Sequence, residues 1–176
     1  MQAIVNGTRL DLDVTEITLL DMETAKKLPQ KLLEAKDWWW LITKGEAVDY
    51  VTFVHSHGKI STPGFPVSGG LLSIRPVLKV GNLDAYDLKE GDVIEITGLK
   101  WTVIPNNMVL CNDFIGEHIF RDYYRIADDK KSFTTRKNWI EEAHPIEELT
   151  NYGCSDVKKK IDEWAANNGI TLKQAS

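Results

Sequence analysis

Three consecutive tryptophans, Trp38 to Trp40, constrain the fold of this chain more than any other feature. Side chains alternate between the two faces of a strand, so three adjacent indoles cannot all lie on one face. At least one of them needs a second buried surface. The tryptophans open a stretch from Asp37 to Val80 that ends in the sequence SIRPVLKV. We expect this stretch to lie where two layers of the fold meet.

Length and composition are those of an ordinary globular protein. The 176 residues suffice for one domain with a substantial core, and 43% of them are apolar. No window approaches the ~20 apolar residues of a bilayer-spanning helix, and the N-terminus lacks the basic and apolar regions of a signal peptide. The two cysteines, Cys111 and Cys154, are too few for a disulfide framework and lack metal-ligand spacing. We therefore predict a cytoplasmic protein with no membrane association.

The net charge of −5 comes from the second half of the chain. Residues 81–176 carry twelve basic and seventeen acidic side chains, whereas residues 1–80 are neutral. Nucleic-acid binders usually carry a basic face or stripe, and this chain has only short basic runs. Direct nucleic-acid binding is therefore not predicted. The acidic half fits solubility, and it also fits a basic protein partner.

Turn and cap residues predict the elements of the first half. Asn6 and Gly7, a pair that tolerates positive φ, predict a hairpin over residues 3–13. Asp21 is typical of an N-cap and predicts a helix that Pro29 ends. The elements predicted next are a strand over 50–54, a turn over 55–58, a strand over 59–62, a loop over 63–66 and one returning strand over 71–78, with Pro76 at an edge or bulge.

The second half combines alternating strands with two predicted helices. Residues 93–96 and 101–104 alternate as a hairpin, and residues 108–111 predict a third strand. Thr134 or Thr135 is placed to cap a short helix that Pro145 stops. The last helix is predicted between the N-cap Ser155 and the C-terminal Gly169. Its apolar stripe, which we expect to pack on the sheet, is Val157, Ile161, Trp164 and Ala165.

The tryptophan stretch resembles a family of bacterial and phage domains. Three segments of this chain are similar to the family's WWLRSPG, strand–DG–strand and VRPAL motifs: Trp39-Trp40-Leu41, the strand and turn ending at His55 to Gly58, and Ile74-Arg75-Pro76-Val77-Leu78. The family is a branch of the C-type-lectin-like fold, which formylglycine-generating enzymes and phage receptor-binding proteins share. Further similarity lies in Gly91-Asp92, Trp101 to Ile104, Leu110-Cys111 and the Ser155-initiated helix with Trp164.

The chain departs from the family in two respects. The two blocks occur in the reverse order, as in a circular permutation, which is physically reasonable because domain termini usually lie close together. Ile42-Thr43-Lys44 also replaces the expected Arg-Ser-Pro. The resemblance implies an α+β fold of C-type-lectin-like character, with a mixed, mostly antiparallel sheet and two or three helices. We expect one domain over 1–176, consisting of an N-terminal hairpin and helix (1–36), the tryptophan block (37–80), a β-hairpin block (81–120), an insertion (121–152) and a C-terminal helix (153–169).

The insertion is where we expect a partner surface, because it places large apolar residues beside charges. Glu141 and Glu142, with Glu147 and Glu148, form an acidic cluster that suits a basic partner. Lys158 to Lys160, by contrast, are typical of a solvated helix face. The predicted partner-binding residues are Phe133, Arg136, Lys137, Trp139, Glu141 and Glu142.

A second candidate is a ligand-binding loop formed by His55, His57 and Phe65. The two histidines have the spacing of a metal clip, with Asp49 or Glu46 as a third ligand, but a simple turn explains them better and no metal is predicted. Arg75 is expected to bond loop carbonyls or a carboxylate inside the fold, with Asp37 or Asp49 as partners.

No P-loop, GxGxxG, GxSxG or HExxH motif occurs, so no catalytic residue, enzyme activity or cofactor is predicted. We expect non-catalytic binding of a protein partner. The resemblance implies an accessory protein of a phage or mobile element, such as an anti-CRISPR-type inhibitor of a host defence nuclease. One alternative is a domain that binds a small ligand or carbohydrate. The other, a cysteine-dependent oxidoreductase using Cys111 and Cys154, is disfavoured because both thiols have structural explanations.

Overall fold

The computed structural model describes residues 1–173 and shows an α+β protein with mostly antiparallel sheets and three α-helices in that range. This confirms the predicted fold class at the level of α+β. The helices are α1 Met22–Lys26, α2 Gln30–Leu33 and α3 Asp156–Asn167. The strands are β1 Gln2–Val5, β2 Thr8–Asp11, β3 Val14–Thr18, β4 Trp39–Lys44, β5 Tyr50–Val54, β6 Ile60–Pro66, β7 Leu72–Ile74, β8 Val77–Val80, β9 Val93–Ile96, β10 Leu99–Ile104, β11 Met108–Cys111, β12 Gly116–His118, β13 Arg125–Ile126, β14 Ser132–Lys137 and β15 Ile140–Pro145.

The chain divides into two compact units. Within the described residues, unit 1 contains Met1–Leu20, Arg75–Ile115 and residues 161–173, and unit 2 contains Asp21–Ile74 and Gly116–Lys160. The single domain expected over 1–176 stays a prediction, and residues 174–176 lie outside the described range.

Unit 1 is built on a seven-stranded antiparallel sheet in the order β2-β1-β9-β10-β11-β8-β3. The predicted Asn6-Gly7 turn joins β1 to β2, and both residues have positive φ. Gly98 lies in the turn of the predicted β9–β10 hairpin. Both hairpins are confirmed, and each has a two-residue turn that supports right-handed strand twist. In the β9–β10 hairpin the second strand begins at Leu99, two residues earlier than predicted.

The second half of α3 packs in unit 1 as its apolar stripe predicts. Ile161 and Ala165 are buried, and the Trp164 ring lies 6.2 Å from the ring of the fully buried Trp101. Gly169 follows the helix with φ +68°, the left-handed conformation that favours glycine after a helix end. The prediction that this helix packs on the sheet is confirmed.

Unit 2 contains a five-stranded sheet in the order β12-β7-β4-β5-β6, in which only β4 and β7 pair in parallel. Asp21 caps α1 as predicted, since its Oδ1 accepts a hydrogen bond of 2.7 Å from the amide of Thr24. Trp39 and Trp40 are fully buried, whereas Trp38 is 40% exposed. The indole N–H of Trp39 donates a hydrogen bond to the carbonyl of Leu33, and that of Trp40 donates to the carbonyl of His118. Each buried indole therefore has an acceptor for its N–H.

The single returning strand predicted over 71–78 is wrong. The chain forms β7 in the sheet of unit 2 and β8 in the sheet of unit 1. Pro76 lacks an N–H and restricts the residue before it, so the ladder breaks at Arg75 and Pro76. Arg75 is 2% exposed, and its Nε donates a hydrogen bond of 2.6 Å to the carbonyl of Cys111. The prediction that Arg75 bonds a carbonyl inside the fold is confirmed, but this carbonyl belongs to the end of strand β11 and not to a loop.

The loop predicted over 63–66 is also wrong, because β6 continues to Pro66. A register shift opposite Val51 and Phe53 accommodates the Pro63-Gly64 pair without ending the strand. Gly64 has φ +89°, and a Cβ atom there would lie 2.7 Å from the carbonyl oxygen of Val51. Only glycine fits this close approach of two backbones.

The inserted segment is a three-stranded antiparallel sheet in the order β13-β14-β15, and the short helix predicted from Thr134 or Thr135 to Pro145 is wrong. Ser132 to Lys137 contain an aromatic and two β-branched residues, which favour a strand. Asn138 and Trp139 then form a two-residue turn. The helical spacing of the apolar residues after this turn is coincidental.

Candidate functional site

The turn between β14 and β15 places a tryptophan in an unfavourable backbone conformation. Asn138 has φ +52° and Trp139 has φ +67°, so both central residues of this hairpin turn are left-handed. Asparagine tolerates this conformation, and glycine is the residue usually found at the second position. For a side chain with a Cβ atom the left-handed conformation costs roughly 1–2 kcal/mol. Trp139 therefore occupies its position at the expense of local stability.

Trp139 is also the most exposed large apolar side chain in the described part of the chain. It is 86% exposed, and its neighbour Ile140 is 71% exposed. The Arg136 guanidinium lies 4.5 Å from the centre of the Trp139 ring and 5.0 Å from that of Tyr124, which is 48% exposed. We call Tyr124, Arg136, Trp139 and Ile140 the tip cluster. Its two cation–π contacts hold the arginine and the rings in place on an open surface.

The structure places most of the predicted partner-binding residues on this hairpin, with one difference. Arg136, Lys137, Glu141 and Glu142 are exposed. Phe133 is fully buried at the base of the hairpin, so its side chain is not available to a partner. Its ring stacks on the His144 ring, with ring centres 5.1 Å apart, and the Arg121 guanidinium lies 5.3 Å from the centre of the Phe133 ring. Phe133 anchors the hairpin and does not belong to the contact surface.

The base of the hairpin is further fixed by polar contacts of His144. Its Nε2 lies 3.1 Å from Thr135 Oγ1 on the neighbouring strand. Its Nδ1 lies 3.3 Å from a carboxylate oxygen of Glu148. These contacts connect β15 to β14 and to the 3-10 turn Ile146–Thr150. The tip cluster is thus carried by a braced hairpin.

Tyr124 was not predicted as a surface residue. Tyr123 packs against Phe133, with ring centres 6.4 Å apart, while Tyr124 contacts Arg136. The two tyrosines precede β13 and belong to no strand, so strand alternation in the sequence does not identify which of them is exposed.

A second aromatic surface in unit 2 brings the predicted ligand-binding residues together. We call Trp38, Phe53, His55, His57 and Phe65 the aromatic patch. The Trp38 ring stacks on the Phe53 ring, with ring centres 4.9 Å apart. The His55 ring lies edge-on to the Trp38 ring, with ring centres 4.6 Å apart. Phe65 lies edge-on to Trp38 at 6.2 Å, and His57 stacks on His55 at 5.4 Å. Because Phe53 is buried and Trp38 is 40% exposed, the patch is a continuation of the core that opens to the surface.

The histidines of the patch belong to the turn predicted over 55–58. The amide of Gly58 donates to the carbonyl of His55 at 2.9 Å, and Gln30 Nε2 donates to the carbonyl of His57 at 3.1 Å. Desolvation lowers the pKa of His55, and the positive charges of His57 and Lys59 lower it further. Within residues 1–173 no group of three or more metal-ligating side chains is assembled.

A cleft of about 550 Å³ in unit 2 has an acidic lining. It lies between residues 46–49 and residues 126–130. Three acidic side chains line it and one lysine faces them: Glu46, Asp49, Asp128 and Lys130. Burial raises the pKa of the nearby Tyr123, and the charge of Asp49, whose carboxylate is 3.4 Å from the Tyr123 hydroxyl, raises it further.

The two cysteines have separate environments. Cys111 is fully buried in the sheet of unit 1, and burial raises the pKa of its thiol to about 11. Such a thiol is protonated at neutral pH and is a weak nucleophile. Cys154 is half-buried in unit 2, where its carbonyl accepts a hydrogen bond from Arg121.

Comparison of the chain with protein-family models, curated proteins and solved structures gives no match. The helices of the described residues are all too short or too polar to cross a lipid bilayer.

Proposed function

We propose that this chain is a non-catalytic protein-binding module that inserts the tip cluster into a complementary pocket of its partner. The observation that carries the proposal is Trp139, which combines 86% exposure with φ +67°. Exposure of a large indole and a left-handed backbone are both unfavourable, and the cation–π contact with Arg136, worth about 0.5–1 kcal/mol at an exposed site, offsets them only in part. Strain of this kind concentrates at functional sites. Burial of a side chain of this size in a partner contributes about 2–3 kcal/mol.

The composition of the tip cluster supports this proposal. Tryptophan, tyrosine and arginine are the residues that most often dominate the binding energy of protein interfaces. Here Arg136 lies over both Trp139 and Tyr124, so the cluster is partly ordered before a partner arrives. Pre-ordering reduces the entropy lost on binding.

The particular partner expected from the family resemblance, a host defence nuclease, is part of this proposal. It rests on the resemblance to phage-borne domains and on the acidic side chains beside the tip cluster, which suit the basic surface of a nucleic-acid enzyme. In this version the chain is an accessory protein of a mobile element that inhibits the nuclease by occupying such a surface. The corresponding assay is DNA cleavage by the candidate nuclease with and without this protein.

The experiment that tests the proposal compares the wild-type protein with Trp139→Gly. Asn-Gly is the preferred sequence for this turn, so the variant keeps the hairpin while removing the indole. Tagged forms of both proteins are used to capture partners from host cells, and the captured protein is purified and titrated against each form by calorimetry. We expect the wild type to bind at least thirtyfold more tightly. Equal affinity of the two forms contradicts the proposal.

A second candidate function, binding of a small ligand or carbohydrate, is favoured by the aromatic patch. Trp38 presents an exposed indole flanked by His55 and Phe65, and apolar rings with a few polar groups are typical of ligand sites. A panel of oligosaccharides and metabolites is screened for a rise in melting temperature, with Trp38→Phe as a control that keeps an aromatic ring. A compound that stabilises the wild type and not the variant supports this function.

A further inference from the structure

The outer edge of β15 carries backbone groups with no partner in the described chain. β15 is the last strand of the sheet β13-β14-β15. The turn at Asn138 and Trp139 makes Lys137 and Ile140 a hydrogen-bonded pair, and such pairs alternate along an antiparallel ladder. The N–H and C=O groups of Glu141 and Ala143 therefore point away from β14. No described residue forms a hydrogen bond with them.

This edge has few of the features that normally protect a sheet from pairing with another chain. The ladder between β14 and β15 is regular over six residue pairs, with no bulge. Pro145, which lacks an N–H, stands only at the end of the strand. Every residue of β15 except His144 is exposed. Natural edge strands are usually short, bulged, covered or charged. Of these features β15 has the charged side chains of Glu141 and Glu142. The edge of β15 is a regular, accessible strand next to the tip cluster.

The charge of this edge selects the kind of strand that can pair with it. Glu141 and Glu142 lie on β15, and Glu147 and Glu148 follow it. The only basic side chain from Ile140 to Thr150 is the half-buried His144. Oppositely charged side chains on neighbouring strands stabilise pairing, and like charges oppose it. A second copy of this chain would add the same carboxylates to the ladder, whereas a lysine- or arginine-rich strand would complement them.

We propose that β15 pairs with an extended basic segment of the protein partner, which adds a fourth strand to the sheet β13-β14-β15. This inference rests on the proposed function and names the form in which the partner binds. The backbone groups of Glu141 and Ala143 supply the hydrogen bonds of the new ladder, since residues two apart on a strand share one edge. The glutamates select for basic side chains, and the tip cluster anchors one end. Strand addition of this kind derives its affinity from the main chain and its specificity from the side chains.

The test uses two fluorescent heptapeptides, one alternating lysine with valine and the other alternating glutamate with valine. Binding is followed by anisotropy at low ionic strength, and amide hydrogen exchange is measured on the full chain. We expect the lysine peptide to bind and to slow exchange at Glu141 and Ala143 at least tenfold. The glutamate peptide should bind at least tenfold more weakly. Equal binding of the two peptides would overturn the assignment of a basic partner.

The variant Ala143→Pro removes one outward N–H without removing a hydrogen bond to β14. The matched control is Ala143→Val, which keeps the N–H and suits a strand. We expect the proline variant to bind the lysine peptide at least tenfold more weakly than the valine variant. Similar affinities would overturn strand pairing, and the exchange of the wild-type amides reports on pairing even if the proline variant unfolds.

Two further outcomes separate this inference from its alternatives. A wild-type dimer seen by light scattering, with Glu141 and Ala143 protected from exchange in the absence of peptide, would assign the edge to a second copy and overturn the basic partner. If Ala143→Pro binds the captured partner normally while Trp139→Gly does not, the strand pairing fails and the proposed function stands. If Trp139→Gly also binds normally, the proposed function itself fails.

Discussion

Two hairpins of this chain have the same turn geometry and differ in the residue at its second position. Thr97 and Gly98 join β9 to β10 with φ values of 58° and 78°, and Asn138 and Trp139 join β14 to β15 with 52° and 67°. Glycine adopts this conformation without steric cost, and tryptophan does not. At its second position, the first turn follows the demands of the backbone. The second departs from them, and we attribute the departure to binding.

The tryptophans of the two hairpins show the same contrast. Trp101 on β10 is fully buried, packs on Trp164 and donates its indole N–H to the carbonyl of Ile96 at 3.1 Å. Trp139 is 86% exposed and contacts Arg136. One indole stabilises the fold, and the other leaves its apolar surface in water. Residue type alone thus says little about role until burial is known.

The largest expected effect comes from removing each indole in turn. Trp101→Ala should lower the free energy of unfolding by about 3–5 kcal/mol, because it leaves a large cavity in the core of unit 1. Trp139→Ala should change it by less than about 0.5 kcal/mol, as is usual for an exposed position. Urea denaturation followed by circular dichroism measures both values. Similar losses of unfolding free energy in the two variants would contradict the claim that Trp101 stabilises the fold and Trp139 does not.

The environment of the β10–β11 pair predicts a pH dependence. Cys111 lies opposite Trp101, and burial raises the pKa of its thiol from 9.0 to about 11. In the unfolded chain the thiol ionises first, so the stabilisation is complete below about pH 9 and is lost as the pH rises towards 11. The slope contributed by one such thiol is at most about 1.4 kcal/mol per pH unit.

The matching experiment compares the wild type with Cys111→Ala. Melting temperatures are recorded from neutral pH to pH 11 for both proteins. We expect the difference between them to be constant up to about pH 9 and the wild type to lose stability relative to the variant above it. Parallel curves over the whole range would show that Cys111 is not shielded from water.

The sequence predicted the hairpins whose turns carry a standard signal. Asn6-Gly7 and the glycine at position 98 marked turns that the structure contains, and Asp21 marked the start of α1. The β14–β15 hairpin has only Asn138 as a signal, because a tryptophan stands where glycine is usual. The local pattern was therefore compatible with a helix, and the tertiary structure decided the outcome.

Two further features could be predicted from the sequence only in part. They are the break in the chain at Arg75 and Pro76 and the set of residues that form the tip cluster. Pro76 indicated an edge or bulge, but a proline does not reveal that the strands on either side join different sheets. Trp139 and Arg136 were predicted on the partner surface from composition alone. Phe133 was grouped with them because its burial depends on Tyr123, Arg121 and His144, which only the fold brings around it.

A smaller effect is expected from exchanging the turn residues. A Cβ atom at Gly98 would meet nothing within 4 Å, so Gly98→Ala tests backbone strain without a clash. We expect a loss of about 1 kcal/mol for this variant. Trp139→Gly should instead leave the unfolding free energy unchanged or raise it by up to about 1 kcal/mol. Chemical denaturation of both variants checks the comparison, and a clear destabilisation by Trp139→Gly would contradict it.

The smallest effect concerns the arginine that holds the tip cluster together. Arg136→Lys keeps the positive charge but replaces a planar group that stacks on Tyr124 and Trp139. We expect partner affinity to fall by about 0.5–1 kcal/mol, the usual size of an exposed cation–π contact. Lys137→Arg serves as a control that changes the same two residue types in the opposite direction. Calorimetric titration against the purified partner measures the affinity of both variants. Equal affinities of Arg136→Lys and the wild type would show that the guanidinium of Arg136 does not contribute to binding.

The most direct test of the central claim is a paired measurement on Trp139→Gly, in which unfolding free energy and partner affinity are determined on the same preparation. If Trp139 is present for binding, the variant is as stable as the wild type or more stable, and its affinity falls by about 2 kcal/mol or more, the usual size of a dominant interface residue. If Trp139 is present for folding, the variant loses stability and the affinity per folded molecule is unchanged. The first result supports a protein-binding hairpin, and the second contradicts it.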